Sequence, residues 1–123
     1  MQVMQFAKES GVAIALSLTS DNADAFAQEM REVKAVLLDW QAKHGGQCEM
    51  VMLTVVSDPE HHAGIELLIQ QVYRDEAELA PLLQSVNVQV ALLNARGRPV
   101  KEFTLGRPTA TQRARPKPWW QFW

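Results

Sequence analysis

The fold of this chain is determined mainly by residues 12–56, whose sequence is VAIALSLTSDNADAFAQEMREVKAVLLDWQAKHGGQCEMVMLTVV. This stretch begins with a nearly all-apolar run of strand length, 12–18, and ends with a second apolar run, 47–56. Continuously apolar strands of this kind are typical of parallel or mixed sheets that are covered on both faces. The stretch therefore predicts two neighbouring parallel strands joined by a helical crossover.

The segment between the two runs, 21–44, has the apolar spacing of one helix face. Its large apolar residues recur at intervals of four, three, four and three positions: Phe26, Met30, Val33, Leu37 and Trp40. Asp21 is placed to cap the helix, and Asp24 lies in the first turn, where a negative charge complements the helix dipole. Gly45 and Gly46 predict its end.

A second helix is predicted over 59–73. The sequence Ser-Asp-Pro-Glu at 57–60 is a helix-start pattern, because it joins a capping residue, a proline and an acid. Over 64–73, however, apolar residues at every second position also fit a strand, and Gly64 weakens a continuous helix. In that alternative the segment would form a hairpin with the preceding strand.

The remaining residues predict a further helix and a hairpin. Residues 76–84 form another helix or a kinked continuation, with Pro81 as its break. Residues 86–92 alternate as a strand, and 99–105 return as its partner after a glycine-containing turn. Residues 1–7 fit an edge strand or an N-terminal arm.

The predicted fold class is α/β (or α+β), with a single-layer mixed sheet of four to five strands. The element order is (β)βαβα(α)ββ, with the long helix 21–44 on one face, a C-terminal hairpin and an extended tail. The alternative is two ββα units on an antiparallel sheet. In domain terms, 1–106 is predicted to be a single α/β domain and 107–123 a basic, proline-containing tail with an aromatic tip.

The charge of this chain is divided unevenly along its length. The 123 residues carry a formal charge of −2. Residues 1–93 contain five lysine or arginine residues against thirteen acids, a net −8, and 94–123 contain seven against Glu102 alone, a net +6. The sequence thus predicts an acidic body and a basic tail.

Three further features of the sequence predict a cytoplasmic protein. No apolar run reaches the roughly 18–20 residues of a membrane-spanning helix. The first residues lack the basic and long apolar regions of a signal peptide. Cys48 is the only cysteine, so no internal disulfide is expected.

Histidines and the thiol are the first candidates for chemistry. Asp58, Glu60, His61 and His62 form the densest polar cluster, and His44 lies four residues before Cys48. Adjacent histidines on a helix diverge by roughly 100°, so His61 and His62 are not expected to share a metal. No Cys-x-x-Cys or glycine-rich phosphate loop is present. The sequence therefore predicts no catalytic residue, no metal ligand and no cofactor.

The tail is the stronger candidate for function. Its aromatic and basic side chains are Trp119, Trp120, Phe122, Trp123, Arg113, Arg115 and Lys117. Four large aromatic residues carry roughly 600–1,000 Å² of surface that is buried in a contact. This exceeds the few hundred Å² of apolar patch that a monomer usually exposes, so a contact surface is expected to cover them.

These observations predict a small, non-enzymatic protein-binding module, such as an adaptor, an inhibitor or an accessory subunit. Its tail would dock on a partner protein or on a second copy, with Trp and Arg as the dominant contacts. The sequence leaves open whether the tail instead folds back on its own body, whose negative charge attracts the basic linker. One alternative is a nucleic-acid-binding accessory protein that uses the basic tail. A membrane surface is disfavoured, because the acidic body repels anionic lipids. The other alternative is a weak metal- or thiol-dependent enzyme around His44, Cys48, His61 and His62.

Overall fold

The computed structural model describes residues 1–9 and 11–105. There, five strands and three α-helices follow the predicted order, which is thereby confirmed. The elements are β1 (Gln2–Lys8), β2 (Gly11–Thr19), α1 (Ala23–His44), β3 (Cys48–Val56), α2 (His62–Asp75), α3 (Leu79–Ser85), β4 (Asn87–Leu93) and β5 (Pro99–Leu105). None of the helices described is long and apolar enough to cross a membrane.

The strands form one open mixed sheet in the order β1-β2-β3-β4-β5. The three central strands are parallel, and β1 and β5 each lie antiparallel to their neighbour. Helix α1 links β2 to β3, and α2 with α3 links β3 to β4. Both crossovers step in the same direction and such crossovers are right-handed, so both place their helices on one side of the sheet.

The helices and one face of the sheet share the main hydrophobic core. The helices contribute Phe26, Val33, Leu37, Trp40, Ile65, Ile69, Leu79, Leu82 and Leu83. The sheet contributes every second residue of its central strands: Ile14, Leu16, Leu18, Val51, Leu53, Val55, Val88, Val90 and Leu92. Burying one such side chain fully contributes roughly 1.5–3 kcal/mol. The long helix therefore lies on one face of the sheet, as predicted.

Residues 64–73 lie in helix α2, so the predicted helix is confirmed and the hairpin is wrong. With it, the alternative of two ββα units on an antiparallel sheet is also wrong. Ile65 and Ile69, one helical turn apart, are buried, whereas Leu67 is 59% exposed. A strand would have placed all three on one face. Gly64 fits because a Cβ there would lie 3.2 Å from the Cβ of Ala23.

Helix α1 is capped by Asn22, and the predicted cap at Asp21 is wrong. The Asn22 side-chain Oδ1 accepts a hydrogen bond from the backbone N–H of Ala25 at 2.8 Å. The helix thus begins at Ala23, two residues later than predicted, and ends at His44 as expected. Both candidates are good capping residues, and only the backbone conformation separates them.

Pro81 does not break the chain where the sequence suggests. Helix α3 begins at Leu79, so Pro81 lies in its first turn, where a backbone N–H has no partner within the helix. The break falls earlier, at Glu76, whose Oε2 accepts hydrogen bonds from the backbone N–H groups of Glu78 and Leu79 at 2.8 and 2.6 Å.

The C-terminal hairpin of β4 and β5 is confirmed. Its turn is held by Asn94, whose Oδ1 accepts hydrogen bonds from the backbone N–H groups of Arg96 and Arg98, both at 3.0 Å. Gly97 supplies the positive φ of 77° that the turn requires. The extended tail predicted for 107–123 lies outside the described residues.

Candidate functional site

The face of the sheet opposite the helices carries a second apolar cluster, termed here the helix-free face. It consists of Ala13, Ala15, Met50, Met52, Ala91 and Leu93, with Phe6 and Val56 packed against them. None of the residues of the described helices belongs to this cluster. The face is a direct result of the strand order, because both crossovers place their helices on the other side.

Strand register arranges the helix-free face in rows. Phe6 lies opposite Ala13, and Ala13 lies opposite Met50. In the next row Ala15 lies opposite Met52. The short alanines of β2 therefore form a low strip between the longer side chains of β1 and β3.

The side chains of the helix-free face are almost inaccessible to solvent. Ala13 and Ala15 are each 1% exposed, and Met50 and Met52 are 6% and 9% exposed. Ala91 on β4 is fully buried. These values match those of the main core, although the helices described pack on the opposite face.

Gln89 is the buried polar residue of this face. It lies in register with Met52 on one side and Thr104 on the other. Gln89 is 7% exposed, and its Oε1 accepts no hydrogen bond from the residues described. An unsatisfied buried acceptor costs about 1–3 kcal/mol, so this oxygen is a site for an incoming N–H or O–H donor.

An acid stands at the β5 margin of the helix-free face. Glu102 lies opposite Ala91, and desolvation raises the pKa of its carboxyl group. Its neighbour Lys101 is on the other face, where Nζ lies 2.8 Å from a carboxylate oxygen of Glu66. Within 1–9 and 11–105 no cation pairs with Glu102.

His62 joins the carboxyl ends of β3 and β4. Its Nε2 lies 2.9 Å from the carbonyl oxygen of Ser57 and 3.0 Å from that of Leu93. Because both partners are acceptors, Nε2 carries the proton and donates to them. The Nδ1 of His62 and the Oγ of Ser57 are buried without partners among the described residues. The contact therefore fastens the loop before α2 to the end of β4.

The four residues of the enzyme alternative are not brought together. His44 and Cys48 lie at the amino end of β3, and His61 and His62 lie beyond its carboxyl end. From Cys48 to Val56, at the far end of β3, there are eight residue steps, which span about 26 Å at roughly 3.3 Å each. Burial raises the pKa of the Cys48 thiol, which works against a reactive thiolate.

Asp58, Glu60 and His61 form a small cluster outside the helix-free face. One potential ligand atom of each residue lies within 4.8 Å of the others. His61 Nε2 is 3.4 Å from a carboxylate oxygen of Glu60. The two acids are exposed, so solvated carboxylates account for the arrangement. His62, next in the chain, points elsewhere, as the predicted divergence of adjacent helical histidines requires.

The predicted partner-binding residues lie outside the described part of the chain. They are Trp119, Trp120, Phe122, Trp123, Arg113, Arg115 and Lys117. Sequence reasoning missed the helix-free face and Gln89. Alternation of small and large residues in β2, with Ala13 and Ala15 on one side and Ile14 and Leu16 on the other, was a signal for two unlike faces.

Comparisons with known proteins add no relative to this description. No family model matches the chain, no curated protein matches it, and no solved structure matches it.

Proposed function

We propose that this protein is a small, non-enzymatic protein-binding module. Its contact segment is the basic, aromatic tail, which binds a partner protein or a second copy of the chain. The acidic body is the scaffold that carries this segment. Adaptors, inhibitors and accessory subunits would all use this tail contact, so the proposed contact is common to the three roles.

One observation carries the proposal: the sheet has a helix-free, apolar face in addition to its helix-covered core. The face is apolar and none of the described helices packs on it, so its chemistry suits the apolar side chains of a contact segment. Met50 and Met52 give it the adaptable, polarisable side chains that are common at protein-binding surfaces. A module with such a face and an aromatic segment has two complementary contact elements.

The distribution of chemical groups supports the same proposal over catalysis. A nucleophilic cysteine needs a neighbouring base and a lowered pKa. Cys48 has a raised pKa, and its Sγ lies 4.0 Å from the carbonyl oxygen of Trp40. His61 and His62 lie at the other end of β3. The arrangement of the described side chains therefore favours a scaffold role over a catalytic one.

The test is quantitative affinity capture from the native host with the full-length protein. The test variant replaces Trp119, Trp120, Phe122 and Trp123 by Ala, and the control is Leu67→Ser, which changes an exposed apolar residue on α2. We expect partners of the wild type and the control to be lost from the test variant, because the aromatic anchors carry most of the binding energy. Equal recovery with all three proteins would contradict the proposal.

Nuclease treatment and added salt separate protein partners from nucleic acid. Binding through phosphate falls steeply as salt rises, because counterions are released on binding. We expect the captured partners to survive nuclease and moderate salt. Loss of all partners under these conditions would favour the nucleic-acid alternative.

A further inference from the structure

The helix-free face has the shape and chemistry to receive aromatic rings. Its floor has two parts, Ala13 and Ala15 on β2 and Ala91 on β4, and Met50 and Met52 of β3 lie between them. Methionine sulfur makes favourable contacts with aromatic rings. A ring laid on the alanines would therefore touch apolar carbon below and thioether sulfur at its edge.

Gln89 supplies a specific partner for one kind of ring. Its Oε1 is a buried acceptor without a donor among the residues described. The indole N–H of tryptophan is a donor that usually finds a partner when it is buried. Tryptophan therefore satisfies Gln89 and fills the apolar floor at the same time, which phenylalanine does only in part.

The burial of this face requires a cover. Met50 and Met52 are 6% and 9% exposed, yet no described helix packs on them. Methionines on an uncovered sheet face would reach solvent. Residues 106–123, which contain the aromatic tip, lie outside the described ranges and are long and apolar enough to be a candidate cover.

The tail has ample length to reach the face. The described structure ends at Leu105 in β5, and Thr104, the residue before it, lies directly opposite Gln89. Residues 106–118 span up to about 40 Å when extended, at roughly 3.1 Å per residue. The β2 alanines lie three strand spacings from β5, about 14 Å at roughly 4.8 Å each.

Charge favours the same occupant. Arg107, Arg113, Arg115 and Lys117 carry four positive charges without an acid beyond Gly106. Residues 1–93 carry a net −8. Glu102, at the β5 margin of the helix-free face, has no cationic partner in the described part of the chain. A basic linker that crosses this margin would place a positive charge next to the carboxylate of Glu102.

We propose that, in the free protein, residues 119–123 dock on the helix-free face of their own chain, with tryptophan rings on Ala13, Ala15 and Ala91. One indole N–H donates to Oε1 of Gln89. The inference deepens the proposed function, on which its biological meaning rests: the contact segment is held on the body until a partner takes it. The occupant is intramolecular because the linker reaches the face without strain, and a tethered segment has a high effective concentration.

The test uses the full-length protein with ¹³C-labelled methionine ε-methyl groups, measured by NMR without a partner. Met50 and Met52 report on the helix-free face, and Met30 of α1, packed against the main core, is the internal control. The test variant replaces Trp119, Trp120 and Trp123 by Ala. We expect the Met50 and Met52 signals to move, because the ring currents are removed, while Met30 stays in place.

Gln121→Ala is the matched control variant, because it changes the same segment without removing a ring. We expect it to leave the signals of Met30, Met50 and Met52 unchanged. Unchanged Met50 and Met52 signals in the tryptophan variant would overturn the docking. The same holds if those signals depend on protein concentration, since the occupant would then be the tail of a second copy.

A second variant changes the helix-free face and leaves the tail sequence intact. Met52→Glu places a charge on the face, and acrylamide quenching then reports the accessibility of the four tryptophans. We expect quenching to rise in Met52→Glu and to stay at the wild-type level in Leu67→Glu on exposed α2 surface. Equal quenching in both variants would contradict the proposal. Because no partner is present, these failures would overturn the docking and leave the tail's partner contact standing.

Discussion

Gln89 on β4 lies in register with Met52 on β3, and both side chains are buried on the face of the sheet that has no helix. The thioether of Met52 thus neighbours the amide oxygen of Gln89, which has no hydrogen-bond donor among the described residues. This pairing of apolar floor and unsatisfied acceptor distinguishes the helix-free face from the helix-covered face, where the strand residues of the core are apolar throughout. It is the feature on which the docking proposal depends.

Gln89→Leu is expected to weaken docking of the tail without disturbing the fold. The substitution replaces the polar amide by an apolar side chain of similar size and removes the acceptor. A hydrogen bond of this kind contributes about 1 kcal/mol, or roughly fivefold in the docked-to-free ratio. Acrylamide quenching of tryptophan fluorescence in the full-length protein measures the change. Thr104→Val, opposite Gln89 on the exposed margin, is the control and should leave quenching unchanged.

His62→Ala is expected to lower the free energy of unfolding by about 1–3 kcal/mol. The substitution removes the donor that serves the carbonyl oxygens of Ser57 and Leu93. His61→Ala, one residue earlier and only half-buried, is the control and should change stability by no more than about 0.5 kcal/mol. Urea unfolding of both variants checks the pair, and equal losses would contradict the assigned role of His62.

Asn22→Ala is expected to destabilise the protein by about 1 kcal/mol, because the cap of α1 is lost. Asp21→Ala should change stability by no more than about 0.5 kcal/mol, since Asp21 does not cap the helix. Thermal or urea unfolding distinguishes the two. A larger loss for Asp21→Ala would restore the prediction made from sequence.

The Glu76 carboxylate makes stability depend on pH. Its hydrogen bond from Lys34 Nζ, at 2.6 Å, and those from two backbone N–H groups lower the pKa of Glu76. Because the folded pKa lies below the unfolded one, the stabilisation is complete above the ordinary glutamate pKa and is lost as pH falls through the folded value.

We therefore expect Glu76→Gln to be less stable than the wild type at neutral pH and to converge with it at strongly acid pH. Urea unfolding over a pH series measures this difference. Asp75→Asn, an exposed neighbour whose carboxylate is 3.9 Å from Arg74 Nε, is the control and should show almost no difference at any pH. A Glu76→Gln deficit that persisted unchanged into acid would contradict the carboxylate assignment.

Much of the fold could be predicted from local pattern. The apolar intervals that include Phe26, Val33 and Trp40 set one face of α1, and the structure buries that face against the sheet. The choice between Asp21 and Asn22 as cap could not be predicted, because both residue types cap equally well and tertiary contacts fix where the backbone turns.

The candidate site was harder to predict, since it depends on strand order. Ala13 and Ala15 read as part of a uniformly apolar strand, and only the sequential order of strands shows that their face lacks a helix. Gln89 likewise appeared as an ordinary polar residue of an alternating strand. Its burial results from neighbours on β3 and β5 that are distant in sequence.

Docking of the tail on its own body can be observed directly by a nuclear Overhauser measurement on the free full-length protein with labelled methionine methyl groups. If the tail docks on its own chain, the methyl protons of Met50 and Met52 contact ring protons of tryptophans other than Trp40, which is buried on the helix side. In an equal mixture of labelled and unlabelled chains, these contacts should arise within one molecule. Absence of these contacts, or their appearance only between molecules, would contradict intramolecular docking of the tail.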